Sequence, residues 1–258
     1  MDANRTAIVT PARLHSSRLP RKMLLDIEGR PALWYVLDRM KMAKLPDLRI
    51  MCTSTNAADV EIAKVAEEQE WLTFCGDEED VLQRYLQAVR HFGIGFMVNV
   101  DGDDLFCSEE YVDRIIERYR ETEADYIQCR GLPFGGAPIG VKISALQKVC
   151  DLKEDTNTQG WGKYFSESKL FRVETIDADE RVNRPEYRMT LDYPEDLEFF
   201  RTTIRMVDPS HQQRLRLAEV VAFLDAHPEV AAISQRVSEQ YWERFHREHG
   251  SFRMRPPS

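Results

Sequence analysis

The chain has 258 residues, is 43% hydrophobic and 31% charged, and carries a formal net charge of -9. That length buries one sizeable core, while the acidic balance excludes duplex nucleic acid as a partner, which demands a broad basic face. No stretch approaches the roughly 20 consecutive apolar residues of a membrane span. The segment Met1-Asp2-Ala3-Asn4-Arg5 has no apolar core of the signal type, so a cytoplasmic location is expected. The five cysteines, at 52, 75, 107, 129 and 150, form no C-x-x-C pair, and reduced, buried thiols are expected, not a metal site or a disulfide framework.

Strands and helices alternate along the first half. Arg5 to Thr10 reads as a strand, Ala32 to Ala43 as a helix with Leu33, Val36, Leu37 and Met40 on one face, and Leu48 to Thr53 as a second strand. Asn56 caps a helix running to about Glu70, followed by a strand at Trp71 to Cys75, a helix at Glu79 to His91 and an apolar strand at Phe96 to Val100. Ser108 caps the next helix, with Tyr111, Ile115, Ile116 and Tyr119 inward, before a strand at Tyr126 to Cys129. This is the pattern of an α/β protein with a Rossmann-like wound, mainly parallel sheet. Gly131, Pro133, Gly135, Gly136, Pro138 and Gly140 then break it. Extended signals return at Leu170 to Ile176 and Tyr187 to Leu191, Pro194 starts a helix to about Met206, and a helical extension is expected from His211 onward.

Chemistry-bearing residues gather where predicted strands end, the place at which open parallel sheets bind ligands. Thr10 to Lys22 holds four cations, Arg13, Arg18, Arg21 and Lys22, in an otherwise acidic chain. Pro11 and Pro20 prevent a regular helix there, and Ser16 and Ser17 add hydroxyls, so the segment is either a solvated basic loop or one that wraps a polyphosphate. Asp101-Gly102-Asp103-Asp104 places three carboxylates in four positions after the fourth strand, as a polar turn or as ligands for Mg²⁺ or Mn²⁺. Asp192, ahead of Pro194, is either a helix N-cap or a third metal-side carboxylate. Cations for phosphates and aspartates from two strand ends are the parts of metal-assisted attack on phosphorus.

The run from Pro11-Ala12-Arg13 through Ser17-Arg18-Leu19-Pro20 to Lys22-Met23-Leu24-Leu25 and Gly29-Arg30-Pro31 resembles the signature of the CMP-sugar synthetases. These cytidylyltransferases include the CMP-Kdo and CMP-acylneuraminate synthetases, and the resemblance is nearest to the spore-coat polysaccharide biosynthesis F-type branch. Thr53-Ser54-Thr55-Asn56, Gly76-Asp77-Glu78-Glu79-Asp80-Val81-Leu82-Gln83-Arg84-Tyr85 and Leu191-Asp192-Tyr193-Pro194-Glu195-Asp196-Leu197 agree with it.

The resemblance implies a fold of the nucleotide-diphospho-sugar transferase type and an enzyme that joins CTP to an acidic sugar, nonulosonic or octulosonic, with release of pyrophosphate. It implies Arg13, Lys22 and Asp103 as catalytic residues, and Pro11, Ala12, Arg13, Ser17, Arg18, Lys22 and Arg84 as the nucleotide site. Asp103 and Asp192 would hold Mg²⁺, with Mn²⁺ as a substitute and Asp101 as an additional ligand. Surface-polysaccharide synthesis and a homodimer are also implied. A nucleotidyltransferase domain is expected over residues 1–208, with 130–170 as an acceptor-side or dimerisation insert, and a helical extension over 209–258. An i, i+4 ion pair of Asp80 with Arg84 on an exposed helix is the bland alternative for that motif. Two departures stand out: Arg21, where the family usually has glycine, points to solvent or adds a phosphate contact, and Asp101 replaces a neutral polar residue. Asp101-Gly102-Asp103 also fits the D-x-D pattern of a glycosyltransferase that uses a nucleotide-sugar, and a non-catalytic nucleotide-binding module is the third reading.

Overall fold

The computed structural model describes residues 5–208 and 214–256. From the N-terminus, β1 (Thr6–Pro11) leads through a long loop and a 3-10 turn (Lys22–Leu24) into a small hairpin, β2 (Asp26–Ile27) and β3 (Arg30–Pro31), and then α1 (Ala32–Met40). The alternation continues with β4 (Leu48–Ser54), α2 (Val60–Glu68), β5 (Leu72–Gly76), α3 (Val81–His91), β6 (Phe96–Asn99), α4 (Glu109–Thr122) and β7 (Tyr126–Arg130). Next come β8 (Ile139–Lys142), α5 (Ile143–Leu152), α6 (Gly162–Ser166) and β9 (Val173–Asp177). The helices α7 (Pro194–Val207), α8 (Leu217–Ala226), α9 (Pro228–Gln235) and α10 (Ser238–His249) complete the described elements.

The main sheet has seven strands in the order β5-β4-β1-β6-β8-β7-β9. Every pairing in it is parallel except the two made by β8. β1 lies at its heart, with Val9 opposite Ile50 of β4 on one side and Asn99 of β6 on the other. Because side chains alternate along a strand, Ala7 and Val9 face one apolar layer and Ile8 the other. Leu33 and Leu37 of α1 with Ile115 and Ile116 of α4 cover the Ile8 face, while Tyr85 and Leu86 of α3 with Leu146 and Val149 of α5 cover the opposite one. The α/β reading with a wound, mainly parallel sheet holds.

Three expectations change. Residues 139–142, inside the stretch read as an insert, are an internal strand of the sheet, between β6 and β7. Gly140 had counted as a breaker, yet a side chain there would meet Ile115 at 2.5 Å and Phe96 at 2.6 Å, so the glycine permits α4 to close on the sheet. Tyr187 to Leu191 is not a strand but a single bridge between Phe134 and Arg188. Of the cysteines, all free, only Cys52 and Cys107 are buried and Cys75 is exposed. The helical extension is present as α8–α10, and its expected start at His211 lies outside the described residues. Val220, Val221 and Leu224 of α8 are fully buried in the same core as α1 and α7, so α8 packs within the chain.

Candidate active site

The loop after β1 is held by backbone contacts that leave its cations directed to the strand ends. Ala12 N–H donates to the Cys52 carbonyl at 3.2 Å, and Leu14 N–H donates to the buried carboxylate of Asp59 at 2.7 Å. The loop closes where Arg21 N–H reaches the Leu14 carbonyl at 3.3 Å. Arg21 itself adopts the left-handed conformation, φ 56°, for which glycine is the ordinary residue. Its side chain turns outward to Glu61 on α2 at 2.8 Å, so of the two expectations for Arg21 the solvent-facing one holds. This reversal starts the 3-10 turn at Lys22 and sends the lysine side chain inward, where it is buried.

Beyond β6 the chain crosses the end of β1. Gly102 N–H donates to the Pro11 carbonyl at 3.2 Å, and a Cβ at Gly102 would lie 2.8 Å from that oxygen, so only glycine brings the aspartates this close. From the other side, Leu191 N–H donates to the Asp103 carbonyl at 2.9 Å, drawing Asp192 to the same point. The Lys22 ammonium donates to both carboxylates, to Asp103 and to Asp192 Oδ1, the latter at 2.8 Å. Arg18 donates to the same Asp192 oxygen. Sequence spacing alone had shown these four residues only as separate groups.

Arg188, which the sequence reading missed, completes the cluster. It is 3% exposed, donates to Asp192 Oδ2 at 3.4 Å and grips Asp196 through Nε and Nη2, both at 2.9 Å. Asp196 in turn accepts the backbone N–H groups of Asp192 at 2.8 Å and Tyr193 at 2.9 Å, so it, and not Asp192, caps the start of α7. The i, i+4 spacing of Arg188, Asp192 and Asp196 was the available signal. Burial alone would raise the Asp192 pKa, but Lys22 and Arg18 outweigh it and hold the carboxyl well below the usual range. Burial likewise works against the Lys22 ammonium, and Asp103 and Asp192 more than reverse that. Asp101, by contrast, is pushed up to about 6 by burial and by Asp103.

The remaining predicted residues divide. Arg13 donates to the Glu78 carbonyl at 3.0 Å and lies near Arg84. Arg84 is 2% exposed and donates to the Asp77 carbonyl at 2.8 Å. The Asp80–Arg84 ion pair is absent: Asp80 caps α3 and pairs with Lys153. Asp101 accepts from Asn99 Nδ2 at 3.1 Å, whereas the Lys22 hydrogen bonds that define the cluster go to Asp103 and Asp192. Ser17, exposed in the loop, accepts from Arg244 Nη2 at 3.1 Å. Trp161 is buried among Tyr85, Tyr126 and Phe165, as a packed anchor and not a ligand platform.

Among the described residues no group of three or more His, Cys, Asp or Glu side chains forms a metal cage. Two buried-edge carboxylates meeting one ammonium nevertheless fit Mg²⁺, a hard cation that commonly takes one or two carboxylates and fills its shell with phosphate and water. The Lys22 ammonium shows that a cation is already accommodated between these oxygens.

A wound sheet with a cationic loop after its first strand, and two aspartates brought to that loop from the segment after β6 and from just ahead of α7, defines a nucleotidyltransferase of the α/β class. The chain belongs to the cytidylyltransferase family, whose model matches residues 7–202. It is similar to the spore coat polysaccharide biosynthesis protein SpsF of Bacillus subtilis, with 25% identity over 239 residues, 88% of this chain and 97% of that protein. The 3-deoxy-manno-octulosonate cytidylyltransferase of Chlorobium chlorochromatii is 30% identical over 172 residues, 63% of each chain. A solved cytidylyltransferase from Leptospira borgpetersenii shares the fold, with a TM-score of 0.80 at 19% identity over 88% of this chain and 96% of that one.

Proposed function

We propose that this nucleotidyltransferase transfers CMP from CTP to an acidic sugar, releases pyrophosphate, and serves surface-polysaccharide synthesis in the cytoplasm as a homodimer. The observation that carries the reading is the convergence of Lys22 and Arg18 on Asp103 and Asp192 beside the ends of β1 and β6. An oxygen of the acceptor attacks the α-phosphorus, and the bond from that phosphorus to the bridging oxygen of pyrophosphate breaks. Arg13, Ser17, Arg18 and Lys22 would bind the triphosphate and balance charge on its oxygens as that bond opens. Pro11 and Ala12 would form the floor beneath the nucleotide, and the buried Arg84 would support that floor from below, beside Arg13.

Asp103 and Asp192 would hold Mg²⁺, or Mn²⁺, which supplies Lewis-acid polarisation of the phosphoryl group and alignment of the reacting oxygens. In that state Lys22 exchanges its carboxylates for phosphate oxygens. An acid is favoured as acceptor because Arg18 Nε and Arg188 Nη1 are buried without a protein partner, and because one relative carries the name of a 3-deoxy-manno-octulosonate enzyme. The glycosyltransferase reading needs Asp101 and Asp103 to act together, and Asp101 is instead held by Asn99.

The test is pyrophosphate release from CTP and Mg²⁺ on addition of 3-deoxy-manno-octulosonate or a nonulosonic acid. Release with either acid, absent with UDP-sugars and abolished in Lys22→Ala, is expected. Release of UDP from a UDP-sugar with no reaction of CTP would replace the reading by sugar transfer.

A further inference from the structure

Helix α10 lies beyond residues 7–202, which carry the family match, yet it reaches the cationic loop. Its residues Tyr241, Arg244 and Glu248 recur at i, i+3 and i+7 and share one face. The Tyr241 ring stands 4.5 Å from the Arg188 guanidinium and 5.7 Å from that of Arg18, the two arginines that grip Asp192. One turn further on, Arg244 Nη2 donates to the Ser17 hydroxyl at 3.1 Å, while its Nε is steadied by Glu248 at 2.8 Å. The helix is anchored at its far end as well. Lys163 donates to the Gly250 carbonyl at 3.2 Å, and the segment after it pairs with residues 152–155 through Glu154 N–H to Arg253 O at 3.0 Å and Arg255 N–H to Leu152 O at 2.9 Å.

Arg244 thus faces the exposed side of the loop at the residue that would meet phosphate. Lys22 and Arg18 both answer to the buried Asp192, and Lys22 also to the partly buried Asp103, whereas Arg244 answers to one partly exposed glutamate and a hydroxyl. We infer that Arg244, from the C-terminal helix, is a further phosphate-binding residue, directed at the β- and γ-phosphates of the nucleotide, with Tyr241 packing against the arginines beside it as a positioning residue. The inference rests on the cytidylyltransferase reading of the same site. The chemistry is that of an arginine donating charge-assisted hydrogen bonds to phosphoryl oxygens.

The experiment is calorimetric titration of the full chain with CTP and with CMP, in Mg²⁺, for the parent, Arg244→Ala, Arg244→Lys and Arg247→Ala. Arg247 is on the same helix with its side chain 71% exposed; it lies 3.8 Å from Glu248, so its removal takes away the same charge beside that glutamate while the Arg244 hydrogen bond to Ser17 stays in place. Arg244→Ala should weaken CTP about tenfold and CMP less than twofold, Arg244→Lys should recover part of the loss, and Arg247→Ala should bind CTP like the parent. An equal loss for CTP and CMP, an unchanged CTP affinity in Arg244→Ala, or a matching loss in Arg247→Ala overturns the inference. Failure of the parent to bind CTP overturns the cytidylyltransferase reading itself, and the inference with it.

Discussion

Arg188 holds two buried carboxylates, and its own burial makes that arrangement costly to break. Truncating it to alanine leaves Asp192 without one of its cations and Asp196 without its bidentate partner. Removing one member of a buried charge group costs about 3–5 kcal/mol, which in a chain of this size lowers Tm by roughly 10 °C. Differential scanning calorimetry of Arg188→Ala checks this, and a drop under about 2 °C would contradict it. Arg21 carries the opposite expectation. Since its side chain turns to Glu61, Arg21→Gly should leave CTP affinity within about twofold, because an exposed pair of this kind contributes at most about 1 kcal/mol even to stability. A large loss would mean that Arg21 turns inward when nucleotide binds. Lys22, Arg18, Asp103 and Asp192 were legible as residue types because they follow expected strands in a charge pattern that asks for a phosphate and a cation, although the strand expected before Asp192 is not formed. Arg188 offered only its i, i+4 spacing to Asp192 and Asp196, and Tyr241 no local signal at all, until the fold sets both against the cluster.

At the scale of elements, the meeting of β1 with the loop after β6 sets the geometry of the aspartates. Gly102→Ala would place a methyl 2.8 Å from the Pro11 carbonyl and 3.1 Å from Ala12 Cβ. Backbone must move, so a destabilisation of about 1–3 kcal/mol and loss of CTP binding are expected, read by urea unfolding and titration of one variant. Helix α3 offers a test remote from the cluster. Asp80 accepts from Gln83 N–H at 3.0 Å and from the Thr158 hydroxyl at 3.1 Å, and also pairs with the part-buried Lys153. Asp80→Ala removes a cap and strands a cation, and should cost about 2–4 kcal/mol in the same unfolding measurement. The parallel strands were readable from apolar runs bounded by turns, and Asn56 and Ser108 as caps from their side chains, whereas Asp80 was read as lying within the helix that it caps. β8 was not readable, because its Gly140 is there for close packing by Ile115 and Phe96, a tertiary demand that locally looks like a turn.

Across the whole molecule, the last residues described bind the chain to itself far from where it began. Asp155 accepts the Tyr164 hydroxyl at 2.7 Å and both the backbone and side chain of Arg253. Burial would raise its pKa, but these donors hold it below the ordinary carboxylate value. A depressed folded-state pKa stabilises above the unfolded value, near 3.9, and that contribution disappears as pH falls below it. Hydrogen exchange at Arg253 and its neighbours should therefore rise below about pH 4, and Asp155→Asn should raise it at neutral pH. Protection unchanged in that variant would show that the segment around Arg253 is held by its backbone pairing alone.

The central claim is that Lys22, Asp103 and Asp192 form one metal-assisted triphosphate site. Its most direct measurement is titration of CTP into the parent, Lys22→Ala and Asp103→Asn, each with Mg²⁺ and with EDTA. The account predicts Mg²⁺-enhanced binding by the parent, no measurable binding by Lys22→Ala, and loss of the Mg²⁺ enhancement in Asp103→Asn. Equal CTP affinity in all three proteins, with or without Mg²⁺, would contradict it.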